Sequence, residues 1–163
     1  MTRLWDKGAP LDARVLDYTA GEDHALDERL VPYDVRASIA HAEMLNARQL
    51  LSAGDLAALR EALGALAAEH ARGEWHIELA DEDGQTALER HLTARCGVAG
   101  ARIHLGRSRN DQVLAALRLY LRDAVAQLRA GALEVAVALE TLDRKSTRLD
   151  SSHEIPSRMP SSA

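Results

Sequence analysis

The sequence predicts an all-α fold on three observations. Alanine and leucine dominate, aromatic residues are 3% and phenylalanine is absent, a balance that favours helix over sheet. Apolar residues recur every three or four positions through several long segments, the period of a helix with one buried face. The one alternating segment, Trp75, Ile77 and Leu79, has no second segment with which to build a sheet and is read as a loop.

The elements follow in order. Residues 1–31 mix Gly8, Pro10 and Gly21 with scattered apolar points at Trp5, Val15, Leu16 and Tyr18, which predicts extended and turn structure with room only for short helices. Pro32 suits the first turn of a helix. From there Val35, Ile39, Ala42 and Leu45 trace one stripe, giving a helix to about Leu51. Ser52 and Asp55 have the spacing of a capping box. Leu56, Leu59, Leu63, Leu66 and Ala67 then mark a second helix from Asp55 to Arg72, closed by Gly73. Two helices joined so briefly predict an antiparallel hairpin. A further helix spans Gln85 to Arg95, and Gly97 and Gly100 break the chain after it.

The longest element begins near Asp111. Val113, Leu117, Tyr120, Ala124, Leu128, Val135 and Leu139 form a stripe some thirty residues long, the length of a bundle or coiled-coil helix. Gly131 within it costs about 1 kcal/mol relative to alanine, a cost that close helix packing offsets. Near Asp143 the pattern changes. Residues 144–163 hold six serines against three in residues 1–143, with two prolines and no stripe, so 143–163 is expected to be disordered. The run Arg144-Lys145-Ser146-Thr147-Arg148-Leu149-Asp150-Ser151-Ser152-His153 also resembles translated sequencing-adapter DNA. On that reading the native sequence stops near Leu142 and the tail is non-native.

Composition narrows the function. A net charge of -5 lacks the basic excess that phosphate contact needs, so nucleic acid is not an expected partner. The single cysteine, Cys96, excludes an internal disulfide and a cysteine zinc cluster, and reads as a small core residue. No apolar run is long enough to span a membrane, and the start lacks a signal-like apolar segment, so the cytoplasm is the expected compartment. His24, His70, His76, His91 and His153 show no metal-ligand spacing. Trp5 and Trp75 read as packing anchors. The charges along 55–72 read as a solvated helix face, and His41 and His104 as structural hydrogen-bonding residues.

The chemistry concentrates in Ile103-His104-Leu105-Gly106-Arg107-Ser108-Arg109-Asn110-Asp111-Gln112. A loop of donors that feeds a helix N-terminus suits an anion, because free backbone N–H groups and the helix dipole both favour negative charge there. Arginine adds a planar fork that takes a carboxylate with two hydrogen bonds. From composition alone, Arg107 and Arg109 are equally a pair of exposed or salt-bridged arginines.

The run His104 to Gln112 resembles the signature of the argininosuccinate lyases, a branch of the fumarase and aspartase superfamily, with Leu105 where threonine is usual. Leu4-Trp5, Tyr33-Asp34-Val35-Arg36-Ala37-Ser38-Ile39-Ala40-His41-Ala42 and Glu82-Asp83-Gly84-Gln85-Thr86-Ala87-Leu88-Glu89 resemble further segments of that family in the same order. The resemblance covers residues 1 to about 142. It implies reversible cleavage of argininosuccinate to arginine and fumarate in arginine biosynthesis, with no cofactor and no metal. It also implies a nearly all-helical homotetramer whose central helices bundle, with each site built from three subunits. On this basis 1–110 is the N-terminal lyase domain and 111–142 the start of the central bundle. Ser108, Arg109, Asn110, Thr86 and Gln85 are the implied substrate-binding residues. No catalytic residue is assigned, because the family's base and acid segments lie beyond this chain, and the chain alone is expected to be inactive. Gln85 stands where the family often has histidine and cannot titrate near neutrality, so it is given a binding role. Gly21 stands near a usual serine. Two alternatives remain: a non-catalytic helical oligomerisation domain, or another lyase of the superfamily such as a fumarase or adenylosuccinate lyase.

Overall fold

The computed structural model describes residues 13–151, and these are helical, with no strand among them. Trp5, Gly8, Pro10 and the Leu4-Trp5 pair lie outside the described residues, as does 152–163. The order is α1 (Ala13–Ala20), α2 (Asp23–Asp27), α3 (Val31–Ala47), α4 (Ala53–Ala71), α5 (Gly84–Cys96), α6 (Val98–Ala101) and α7 (Arg109–Ser151), with 3₁₀ turns at Leu79–Asp81 and Arg102–His104. The chain divides into two compact units at Leu121.

In the first unit α3 and α4 pack side by side, and α5 and α6 close over α4. The expected stripes are buried: Val35, Ala42 and Leu45 from α3, and Leu59, Leu63 and Leu66 from α4, with Ile39, Leu56 and Ala67 at the margin. Ser52 caps α4, its Oγ accepting from the Asp55 backbone N–H at 3.0 Å, and Gly73 ends the turn beyond with φ of 71°. Residues 13–27, expected to be mainly extended or turn, form the short helices α1 and α2. Gly21 joins them at φ of 49°, a left-handed conformation in which serine would be strained.

The segment between α4 and α5 is a loop, as its lone alternation predicts. It is pinned to the core. Trp75 is buried between the rings of His70 and His91 and donates its indole N–H to the Leu66 carbonyl at 2.8 Å. Asp81 takes Arg90 in a two-pronged pair at 2.7 and 2.8 Å. Cys96 is half-buried against the core, its thiol reaching the Ala58 carbonyl at 3.5 Å. At Gly100 the backbone lies against α5 so closely that a Cβ would stand 2.5 Å from Leu92 backbone atoms.

Helix α7 starts at Arg109, earlier than its stripe suggests, and its buried side is displaced by one position. Gln112 and Ala116 are buried, whereas Val113 is exposed. Apolar residues occupy two sides of this part of the helix, Leu114, Leu117 and Leu121 on one and Ala116, Leu119 and Tyr120 on another, so spacing alone does not select a face.

The second unit, described from Arg122 to Ser151, is the continuation of α7. Residues 125–146 are all exposed, including Val125, Leu128, Val135, Leu139 and Leu142. Nothing approaches the place a Cβ would take at Gly131. The helix runs past Asp143, where the composition changes, to Ser151. A rise in serine content does not stop a helix; the first proline after Pro32 is Pro156, and Arg144 pairs with Glu140 at 3.0 Å across one turn.

Candidate active site

Three elements converge on the arginine loop. Its own chain turns from the 3₁₀ turn at Arg102–His104 through Gly106, at φ of 76°, into the N-terminus of α7. Ser108 and Asp111 close that terminus. Asp111 Oδ2 accepts from the Ser108 backbone N–H at 2.8 Å and from its hydroxyl at 3.0 Å, and the Asp111 N–H donates to Ser108 Oγ at 3.3 Å. These bonds hold the Asp111 carboxyl below its ordinary range. The serine and aspartate three apart are a helix-start signal that the sequence carries openly.

Arg109 and Thr86 meet across 23 residues of sequence. Arg109 Nη2 donates to Thr86 Oγ1, and Arg109 Nη1 lies 3.2 Å from Asp83 Oδ2. Asp83 caps α5, its Oδ1 accepting from the Thr86 N–H and hydroxyl, each at 2.9 Å. The threonine hydroxyl is thereby oriented: it donates to Asp83 and accepts from Arg109. Half of the Arg109 side chain remains exposed. Asn110 is exposed on the first turn of α7.

Gln85 is buried and does not join this group directly. Its Nε2 donates to Asp34 Oδ2 at 3.5 Å. Asp34 is 3% exposed, and burial pushes its pKa up to about 6, against the hydrogen bond from Gln85 and the charge of Arg107, with Asp27 and Asp83 adding to the rise. Arg107 donates from Nη2 to Ser38 Oγ at 3.1 Å, and burial pulls its pKa down against the charges of Asp34 and Asp111. His41 donates from Nε2 to the Leu105 carbonyl at 3.0 Å, and His104 Nε2 lies 3.1 Å from Glu89 Oε2. Burial lowers the pKa of both rings, so both act as hydrogen-bonding residues of the loop. The donor-rich residues marked the loop and the family resemblance marked Gln85 and Thr86, but neither marked Asp83 as the charge facing Arg109, nor Asp34 and Ser38 beneath Arg107. The helix-cap pattern that begins α5 was the available signal for Asp83.

Among the described residues no group of three or more histidine, cysteine, aspartate or glutamate side chains is placed to hold a metal ion, and no helix is long and apolar enough to cross a membrane. The arrangement presents a half-exposed guanidinium and an exposed amide around one helix start, donors suited to a carboxylate, while the Thr86 hydroxyl hydrogen is given to Asp83.

Residues 14–148 match the lyase family, and the chain belongs to it. Among its relatives is an argininosuccinate lyase of Sorangium cellulosum (strain So ce56), 48% identical over 143 residues, which are 88% of this chain and 33% of the relative. The argininosuccinate lyase of Thermotoga neapolitana is 38% identical over 85% of this chain and 35% of its own length. That of Stenotrophomonas maltophilia (strain R551-3) is 41% identical over 90% of this chain and 34% of its own length. The chain spans about a third of the length of the curated relatives it matches.

Proposed function

We propose that this chain is the carboxylate-binding third of an argininosuccinate lyase. The observation that carries the reading is the meeting of Arg109 and Thr86, which joins the two segments that resemble that family at one helix start. The reaction breaks the bond between carbon and the guanidinium nitrogen. A base takes the proton from the neighbouring carbon, the released pair forms the double bond of fumarate, and an acid returns a proton to the departing nitrogen. Negative charge gathers on the carboxylate next to the proton that leaves, so donors held there lower the barrier.

In this reading Arg109 takes a substrate carboxylate with its fork, Thr86 and Ser108 turn their hydroxyls to it from Asp83 and Asp111, and Asn110 supplies an amide that both donates and accepts. Gln85 lies behind them as a binding amide. The base and the acid are assigned to segments carried by relatives three times this length, so residues 1–163 alone do not turn over. The assembled enzyme is a cytoplasmic homotetramer without cofactor. Its self-association rests on the exposed apolar residues of α7: Leu121, Val125, Leu128, Ala132, Val135, Leu139 and Leu142 alternate by four and three, the period of a coiled-coil seam.

Fumarate release from argininosuccinate, followed by absorbance, tests the proposal. The 163-residue chain gives none, and a chain completed with the remaining two-thirds of a relative gives fumarate and arginine. Turnover by the short chain overturns its inactivity, and a folded, completed chain that makes no fumarate overturns the assignment. In the completed enzyme Arg109→Lys and Asn110→Ala each lower kcat/KM more than about tenfold, or about 1.4 kcal/mol, with assembly intact by sedimentation. Unchanged kinetics in both return the loop to a structural role.

A further inference from the structure

We propose that Asp34, Ser38 and His41 form a polar seam on α3 that positions the arginine loop, so that Arg107 is its anchor and Arg109 the half-exposed arm turned to α5. The three residues stand at i, i+4 and i+7, on one side of the helix. The seam runs beside Val31, Val35, Ala42 and Leu45, which α3 gives to the core. Ser38 is 1% exposed and Asp34 3% exposed. A buried hydroxyl and a buried carboxylate cost free energy that apolar side chains of similar size would not. Here each is used on the loop. Ser38 Oγ receives Arg107 Nη2, His41 Nε2 donates to the Leu105 carbonyl, and Asp34 supplies the negative charge facing the Arg107 guanidinium. Arg107 Nε and Asp34 Oδ1 are both buried and without a hydrogen bond, so what links the two groups is the attraction of their charges.

The seam is separated from the loop by 64 to 69 residues of sequence, so it fixes the loop against a different element, not against its own helix. Arg107 and Arg109 then divide the work. Arg107 is turned into α3, and Arg109 reaches Thr86 and Asp83 at the start of α5. Gln85, through its bond to Asp34, ties the same carboxylate to α5, so one buried group registers the two walls of the site. None of the three seam residues touches substrate in this scheme; they are positioning residues.

The anchor depends on pH through Asp34. The groups that face it are Arg107 from the loop, Gln85 and Asp83 from α5 and its cap, and Asp27 from α2. As pH falls through about 6 the carboxyl is protonated and Arg107 keeps only Asp111 of its two facing charges, so the loop loosens.

Hydrogen exchange of the 163-residue chain, corrected for intrinsic rates and read by peptide at pH 7.5 and pH 5, tests the seam without reference to catalysis. In the wild type the peptide over 103–112 is protected at pH 7.5 and exchanges at least about tenfold faster at pH 5, while the α4 peptide does not change. Asp34→Asn removes the pH dependence of the loop. Ser38→Ala and His41→Leu each raise loop exchange at least about tenfold with α4 unchanged, and His41→Gln, which keeps a donor, restores protection. Loop exchange equal to wild type in Ser38→Ala and His41→Leu overturns the proposal. So does loss of α4 protection in step with the loop in every variant, including His41→Gln, which would make the seam part of the general core. A kinetic arm rests on the proposed lyase activity: in the completed chain His41→Leu lowers kcat/KM and His41→Gln does not. If the completed wild type is inactive, that assignment fails, and the exchange result still decides the seam.

Discussion

The two units of this chain are built from the same residues and use them in opposite ways. In the first, α4 places Leu59, Leu63 and Leu66 entirely out of solvent, and every long helix gives one side to a shared core. In the second, α7 continues with leucine, valine and alanine as its apolar residues, yet Leu128 is 74% exposed and Leu142 62%. A helix with no buried side draws its stability from propensity and from pairs such as Arg144 with Glu140, which are weak in water. The first unit therefore has a core of its own, and the described part of the second presents an apolar surface. The candidate site lies in the first unit, beside that core.

The largest expected effect separates the units directly. Leu63→Ala empties a fully buried position of α4 and costs about 2–5 kcal/mol in denaturant unfolding. Leu128→Ala, at an exposed position, changes the stability of the monomeric chain by less than about 0.5 kcal/mol. If the α7 face pairs with another helix, Leu128→Asp shifts sedimentation toward monomer while Leu63→Ala weakens the fold itself. Equal losses of stability from Leu63→Ala and Leu128→Ala in a monomer would erase the distinction between the units.

A buried charge distinguishes them next. The pKa of Asp34 is raised by burial from 3.8 to about 6, so the folded protein holds this proton more tightly than the unfolded chain does. Its contribution to stability is full below about pH 4 and is lost as pH rises through about 6, by about 3 kcal/mol over the whole window. His41, His91 and His104 act with the opposite sign, because burial lowers their pKa values and protonation of the unfolded chain disfavours folding as pH falls. The quantity to measure is therefore the difference between wild type and Asp34→Asn. Between pH 7 and pH 4.5 the wild type gains about 2 kcal/mol relative to the variant. Parallel pH profiles for the two proteins would show that Asp34 titrates normally. This sign also separates fold from site: acidification that stabilises the first unit through Asp34 releases the anchor of its loop.

What the sequence made legible follows the same division. The period of α3 and α4, the Ser52 cap and the Gly73 stop were readable because each is a local pattern with one physical outcome. The arginine loop was readable because its donor-rich residues stand at a helix start and match a family signature. The buried side of α7 was not, since apolar residues occupy two sides of it and only the contacts made by Gln112 and Ala116 choose a face. The partners of the loop were hidden for a different reason. Ser38, His41 and Asp83 are ordinary polar residues in their own segments, and their roles exist only once folding has brought Arg107, Leu105 and Arg109 to them. At Asp143 the serine content rises while α7 continues to Ser151, because serine alone does not end a helix.

The smallest effects come from two glycines, and they sharpen the comparison because the same substitution has opposite signs. At Gly100 an added Cβ would lie 2.5 Å from the Leu92 carbonyl carbon and oxygen and 2.6 Å from the Thr93 nitrogen, all backbone atoms that cannot swing away. Gly100→Ala must therefore separate α6 from α5, at a cost of about 1–3 kcal/mol. At Gly131 nothing lies within 4 Å of the added methyl, and the backbone is already helical. Gly131→Ala should stabilise the helix of the second unit by up to about 1 kcal/mol, through the reduced entropy of the unfolded chain. Circular dichroism with thermal and denaturant unfolding reads both. In an assembled oligomer the second sign reverses if a partner helix crosses closely at Gly131, so comparing Gly131→Ala as monomer and as oligomer locates that crossing. A stabilising Gly131→Ala in both states would place the helix–helix contact elsewhere along α7.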